Sequence, residues 1–141
     1  MSEYTRDKYT LSTDKTRLDT VAIHDYLSNH SYWAKGRSLE GVIRSIDHSL
    51  PFGLYDGRDQ VGFARVITDY TTFAYLADVY ILPGHRERGL AKWMMECILK
   101  HPQLLNLRRF ILATRDAHAL YEKFGFKPLS KPERWLEILK E

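Results

Sequence analysis

An α/β fold with a mixed, largely antiparallel central sheet flanked by helices is predicted by three features of this chain of 141 residues. The first is a hairpin signal in "PFGLYDGRDQVGFARVITDY". There Phe52, Leu54 and Val61, Phe63 flank Asp56 and Gly57, a pair suited to the positive φ of a tight turn. The second is "DVYILPGHRERGLAKWMMECI", which runs from alternating apolar residues through a basic, glycine-containing turn into helical spacing. The third is the order of elements, roughly βααβββαβαββ. Early strands follow one another directly and pair antiparallel, whereas later strands are separated by helices, which favours parallel pairing.

Taken in order, residues 4–11 read as an edge strand. Leu18, Val21, Ala22, Asp25 and Tyr26 then carry helical spacing, with Asp14 or Thr16 as the expected cap. "SNHSYWAKGRS" is a loop by its Ser, Asn and Gly content and carries two large aromatics. A second helix is expected over 38–48, with Leu39, Val42, Ile43 and Ile46 on one stripe. The hairpin follows, and "TFAYLADVYIL" is the next strand. After Gly89, the residues Leu90, Trp93, Met94, Cys97 and Ile98 recur at the interval of one helix face. "RRFILAT" reads as a short buried strand, "RDAHALYEKF" as a short helix with Gly125 as its C-cap, and "GFKPL" and "RWLEILK" as closing strands.

The length suits one domain over residues 1–141, and 44% hydrophobic with 28% charged residues is the balance of a globular chain. The net charge of +3 is dispersed along the sequence. That argues for an anionic ligand and against nucleic acid as a partner. A lone cysteine, Cys97, excludes an internal disulfide, so a reducing, cytoplasmic compartment is expected. The start "MSEYTRDKYT" lacks the apolar run of a signal peptide, and no stretch approaches the roughly 18 apolar residues of a membrane span. The histidines His24, His30, His48, His85, His101 and His118 form no pair at a recognised ligand spacing, so no metal is expected.

The turn from Arg86 to Ala91 is the strongest local signal. A helix N-terminus leaves backbone N–H groups unpaired and carries partial positive charge, which attracts anions. Gly89 lets a ligand approach the backbone, Ala91 keeps the next approach nearly as open, and Arg86 and Arg88 add charge at the rim. The phosphate loops of ATP and dinucleotide sites are absent, because neither G-x-x-x-x-G-K-[ST] nor G-x-G-x-x-G occurs.

"YILPGHRERGLA" followed by "ATRDAHALYEKFGFKPL" resembles the GCN5-related N-acetyltransferase (GNAT) family, which moves acetyl groups from acetyl-CoA to amines. The family's Arg/Gln-x-x-Gly-x-Gly/Ala pattern is similar to Arg86, Gly89 and Ala91, and its second pattern to Ala117, Tyr121, Gly125 and Phe126. The resemblance covers about residues 50–130. Thr114 departs from it, standing where members often carry an Asn that helps hold the cofactor arm.

The resemblance implies a GNAT-like acyl-CoA N-acyltransferase fold with acetyl-CoA as cosubstrate and a primary amine of a small molecule as acceptor. It implies pyrophosphate on the backbone of Arg88, Gly89, Leu90 and Ala91, and the pantetheine arm along the edge of Val79, Tyr80 and Ile81. The strand holding Ile111 would splay away to admit the thioester. Tyr121 would protonate the leaving thiolate, and Asp78 would act on the amine as base. Tyr32, Trp33, Tyr70, Phe73 and Tyr75, with Asp69 and Asp78, would form an aromatic, acidic acceptor pocket suited to a cation. Relatives frequently form homodimers. The alternative is a CoA-binding regulatory module without efficient transfer; the retained Tyr121 weighs against it, and Thr114 leaves it some room.

Overall fold

Asp7 adopts φ 54 and reverses the chain, so the N-terminal run folds as a hairpin. The sequence predicts one strand over 4–11; the structure, a computed structural model that describes residues 1–140, has two, β1 (Glu3–Arg6) and β2 (Tyr9–Ser12). An aspartate tolerates the left-handed turn that most residues avoid, and this local choice splits the expected strand in two.

The cap of the first helix also differs from expectation. Asp14 caps only a short turn over Lys15–Arg17, and Asp19 accepts the Ala22 N–H to start α1 (Thr20–His30). Ile23 and Leu27, one helical turn apart, are its buried residues. Ser38 caps α2 (Leu39–Asp47) through the Gly41 N–H, and this helix buries Val42 and Ile46 while Ile43 stays exposed. Helices α1 and α2 press these four side chains against Phe63 and Tyr80 in a smaller core.

The predicted hairpin forms as β3 (Leu50–Asp56) and β4 (Asp59–Thr68), reversing at Gly57 with φ 60. The next strand, β5 (Phe73–Ile81), continues the antiparallel meander. Helix α3 (Leu90–Lys100) then crosses back and β6 (Arg109–Leu112) lies parallel to β5, giving the sheet order β1-β2-β3-β4-β5-β6. The expected stripe on α3 is buried in full, together with Met95, against Phe52, Leu54 and Val66. Such side chains contribute on the order of 2 kcal/mol each, so α3 and its N-terminal turn are held firmly in place. A short α4 (His118–Glu122) follows, and Gly125 adopts φ 96 just beyond it, as a C-cap requires.

The closing strands expected at 125–129 and 134–140 do not form; that part of the chain contains only a turn at Pro132–Arg134. Apolar alternation marks a segment as able to pair, but pairing needs an edge within reach, and neither segment joins the sheet.

Candidate active site

Strand β5 is regular until its middle. Phe63 pairs with Tyr80 and Arg65 with Ala77, so Asp78 and Val79 together oppose the single residue Ala64. Asp78 takes up the irregularity with φ 55. Such a bulge bends a strand and re-aims its side chains. The parallel pairing of β5 with β6 ends just before it, at Leu76 opposite Leu112. Beyond that pair the two strands diverge. The opening is a cleft of about 250 Å³, lined by Tyr32, Trp33, Tyr75, Val79, Thr114 and Tyr121 among others.

Tyr121 lies at the inner wall of this cleft and is buried, with its ring edge-on to Phe126 at 6.0 Å. Burial pushes its phenol above the usual value, and Tyr32 and Asp116 push the same way. The hydroxyl therefore keeps its proton at neutral pH and can donate it. Thr114 positions the helix that carries Tyr121, because its Oγ1 accepts the Ala117 N–H at 3.1 Å.

Asp78 is only 5% exposed, and both carboxylate oxygens are occupied. The Trp33 indole N–H donates to Oδ1 at 2.9 Å, while Arg37 and Arg65 donate to Oδ2 at 2.7 and 2.9 Å. Arg65 also donates to the Ser49 hydroxyl at 3.0 Å. Burial by itself raises the carboxyl's pKa, but the two guanidinium groups outweigh it and hold the value below the ordinary carboxylate range. This network ties the loop after α1 to β4 and β5.

Tyr32 and Trp33 pack edge to face, and Arg115 stacks on the Tyr32 ring at 3.8 Å while its backbone N–H donates to the Tyr32 hydroxyl at 3.0 Å. The cleft is thereby bridged from the α1–α2 loop to the β6–α4 loop.

At the far end of β5 lies the basic turn. Gly89 adopts φ 73 as the N-cap of α3 and offers no side-chain cap, unlike Asp19 on α1 and Ser38 on α2. The first N–H groups of α3 are thus left open for an external acceptor. Arg86 is pinned to the Ile81 carbonyl at 2.9 Å and the Tyr26 hydroxyl at 3.0 Å, and Arg88 donates to the Tyr9 hydroxyl at 3.2 Å. Arg6 reaches across from the N-terminal hairpin to the Gly89 carbonyl.

The structure gathers Asp78, Val79, Thr114, Ala117, Tyr121, Tyr32, Trp33 and Tyr75 around the cleft. Tyr80 and Ile81 continue along β5 toward Arg86, Arg88, Gly89, Leu90 and Ala91, although the Tyr80 ring is buried in a stack on Tyr26 at 3.9 Å. Tyr70 and Phe73 are not brought to the cleft. Tyr70 is exposed in the β4–β5 turn and Phe73 opens β5, five residues before Asp78. That is about 17 Å of extended chain from Asp78. Asp69 stays with them, capping the turn through the N–H groups of Thr71, Thr72 and Phe73. Arg37, Arg65 and Asp116 are lining residues that the sequence reading did not single out. Of these, Arg65 leaves a signal: a charge within the apolar run "VGFARVI" needs a buried partner.

Residues 20–126 match the sequence model of the acetyltransferase (GNAT) family. A protein of Gibberella zeae whose name provisionally assigns it to the acetyltransferases is 35% identical over 140 residues, covering 85% of this chain and 79% of that protein. A GNAT-family crystal structure from Xanthomonas campestris pv. campestris superposes with a TM-score of 0.92 at 50% identity, covering 94% of this chain and 93% of that one. A Clostridium acetobutylicum structure containing acetyl-CoA shares the fold with a TM-score of 0.68 at 16% identity, covering 93% and 94% of the two chains. With the splayed strands, the uncapped helix and the family match in agreement, the chain belongs to the GNAT family and is an acetyl-CoA-dependent acetyltransferase.

Proposed function

We propose that the enzyme transfers acetyl from acetyl-CoA directly to a primary amine of a small cationic acceptor. The observation that carries this reading is the continuity of one path: an uncapped α3 N-terminus, the free edge of β5, and a cleft ending at Tyr121. The pyrophosphate lies on the amides of Arg88, Gly89, Leu90 and Ala91, and the pantetheine arm runs along Val79 to Ile81 as an added strand. The Clostridium structure with acetyl-CoA supports the choice of cosubstrate.

The acceptor enters between Tyr32, Trp33 and Tyr75, whose faces suit a cation, with the Asp116 carboxylate at the rim. It loses its ammonium proton to water at the mouth, because only the neutral amine attacks. The nitrogen adds to the thioester carbonyl, the C–S bond breaks, and the thiolate takes the Tyr121 proton. The proton shed by the nitrogen as it becomes an amide restores the phenol. Asp78 serves best as a positioning residue, since its occupied oxygens and lowered basicity leave it a poor proton acceptor.

Thermal unfolding with and without saturating acetyl-CoA tests the cosubstrate. Ligand at about 100 times its Kd adds about 2.7 kcal/mol, a shift of several degrees; no shift removes the reading. Tyr121→Phe is expected to lower kcat on the order of 10²-fold at unchanged acetyl-CoA affinity. Loss of affinity instead would make Tyr121 a wall of the site only. Binding without turnover across a panel of amines would favour the CoA-binding module.

A further inference from the structure

The cleft beside Tyr121 holds more positive than negative charge. Arg65 is 8% exposed, and Asp78, the carboxylate it binds, is 5% exposed. Arg37 reaches the same Oδ2 atom from the α1–α2 loop, with 29% of its side chain exposed. Two guanidinium cations thus share one carboxylate, and all three residues line the cleft. Asp116 also lines it, but lies exposed at the mouth, 3.8 Å from the Arg115 guanidinium, so that pair balances itself. Among the described residues no other Asp or Glu reaches the cleft. The basic turn past Ile81 contributes none of its residues to it either, so phosphate bound at that turn would not supply the missing charge.

A sheltered cation without a counter-charge is costly. The two arginines also have donors to spare, since each guanidinium carries several N–H groups in a fixed fork. Among the described residues Arg37 uses Nη1, on Asp78, while Arg65 uses Nε on Asp78 and Nη1 on the Ser49 hydroxyl. Oδ1 of Asp78 is already taken by the Trp33 indole. The charges are moreover set apart across β5. Arg65 stands on β4, with Arg37 meeting it at one oxygen atom, whereas Asp116 and Tyr121 belong to the β6–α4 loop and α4.

We propose that the acceptor is a compact amine that also carries a carboxylate, which binds Arg37 and Arg65 while the nitrogen faces Tyr121. This rests on the transfer to an amine proposed above and adds the acceptor's second group. The ammonium end meets the aromatic faces and Asp116 on entry, and the anionic end meets the two guanidinium groups. A planar carboxylate matches the guanidinium fork. Its single charge equals the excess, whereas a phosphate monoester, with roughly two negative charges at neutral pH, would overshoot it. The volume of about 250 Å³ lies below the roughly 300–1,000 Å³ of sites for drug-sized ligands, which suits a molecule of amino-acid size.

The test compares amino acids with their carboxamides, and with phosphoethanolamine, as acceptors at one pH and ionic strength. In the native protein kcat/KM is expected to favour each acid over its amide by about 10-fold or more. The amide's ammonium is the more acidic, so the decisive quantity is the change in this ratio on substitution, where that difference cancels. Arg37→Gln leaves Arg65 balanced by Asp78 and is expected to bring the ratio down by about the same factor. Arg37→Lys keeps the charge and is expected to restore part of the preference. Binding is read separately, as the thermal shift that each acid or amide gives the protein saturated with CoA, where no acetyl group is available. A shift with acids, lost in Arg37→Gln but without turnover of any amine, would support the carboxylate site and remove the transfer reading. Turnover with an acid-to-amide ratio equal in the native protein and Arg37→Gln would overturn the carboxylate site and leave transfer standing. Preference for phosphoethanolamine over the acids, or neither shift nor turnover with any acid, also overturns it.

Discussion

Replacing Asp78 with alanine is expected to destabilise the protein by about 3–5 kcal/mol, the usual cost of removing one partner from a buried ion pair. Arg65 is buried and Arg37 half-buried, and both donate to the same carboxylate oxygen. Without it, Arg65 keeps only the Ser49 hydroxyl as a side-chain partner among the described residues. The Trp33 indole also loses its acceptor, so the loop that forms one side of the cleft should loosen. Chemical denaturation measures the stability loss, and a cost below about 1 kcal/mol would place the pair among weak surface bridges.

The same network sets a pH dependence. The folded carboxyl titrates below its ordinary value, so its stabilising contribution is fully present above the unfolded pKa of about 3.9. It is lost as pH falls through the lower folded value. Asp78→Asn should therefore be less stable than the native protein at pH 7 and should lose part of the steep fall below pH 4. If the two denaturation profiles run parallel through that window, the pairing does not contribute as argued.

The second large effect concerns the turn. Gly89→Glu is expected to weaken acetyl-CoA binding by at least about 100-fold, because a carboxylate would compete for the open amides of α3 and repel the pyrophosphate. The backbone at φ 73 disfavours a side chain by roughly 1–2 kcal/mol. A Cβ there would nevertheless meet only Arg6 at 3.7 Å, so the fold has room for the substitution. Gly89→Ala carries the same backbone strain without the charge and serves as control. Equal affinity for acetyl-CoA in the glutamate and alanine variants would remove the turn from the binding site.

Much of the fold was legible because the signals are local. The Asp56-Gly57 turn, the α3 stripe and the Gly125 cap each follow from short-range geometry, and each appears where expected. Local readings failed where two local choices competed, as at Asp7, where a left-handed turn split one expected strand in two. They failed again at the first helix, where Asp14, Thr16 and Asp19 all offer capping chemistry and only packing of Ile23 and Leu27 selects Asp19. The two closing strands failed for another reason: apolar residues in a segment record a capacity to pair and say nothing about which edge supplies the partner.

The site divides the same way. The spacing of Arg86, Gly89, Ala91, Ala117 and Tyr121 is written in the chain, because a helix start and a helix face are defined by near neighbours. That was enough to predict the family, and it marked the basic turn and the tyrosine as candidates. Which aromatics reach the cleft was decided only by the tertiary structure. Tyr75 does, while Phe73, two residues earlier at the start of β5, and Tyr70, in the turn before it, do not. The bulge at Asp78 and the end of β5–β6 pairing at Leu76 set where the strands part, and both depend on register between strands distant in sequence. The partners of Asp78 come from a loop and from a neighbouring strand, Arg37 and Arg65, which no spacing along the chain could have joined. Sequence determined the elements and the local chemistry each presents; long-range strand register, through the direction in which every second side chain points, decided which of those chemistries meet.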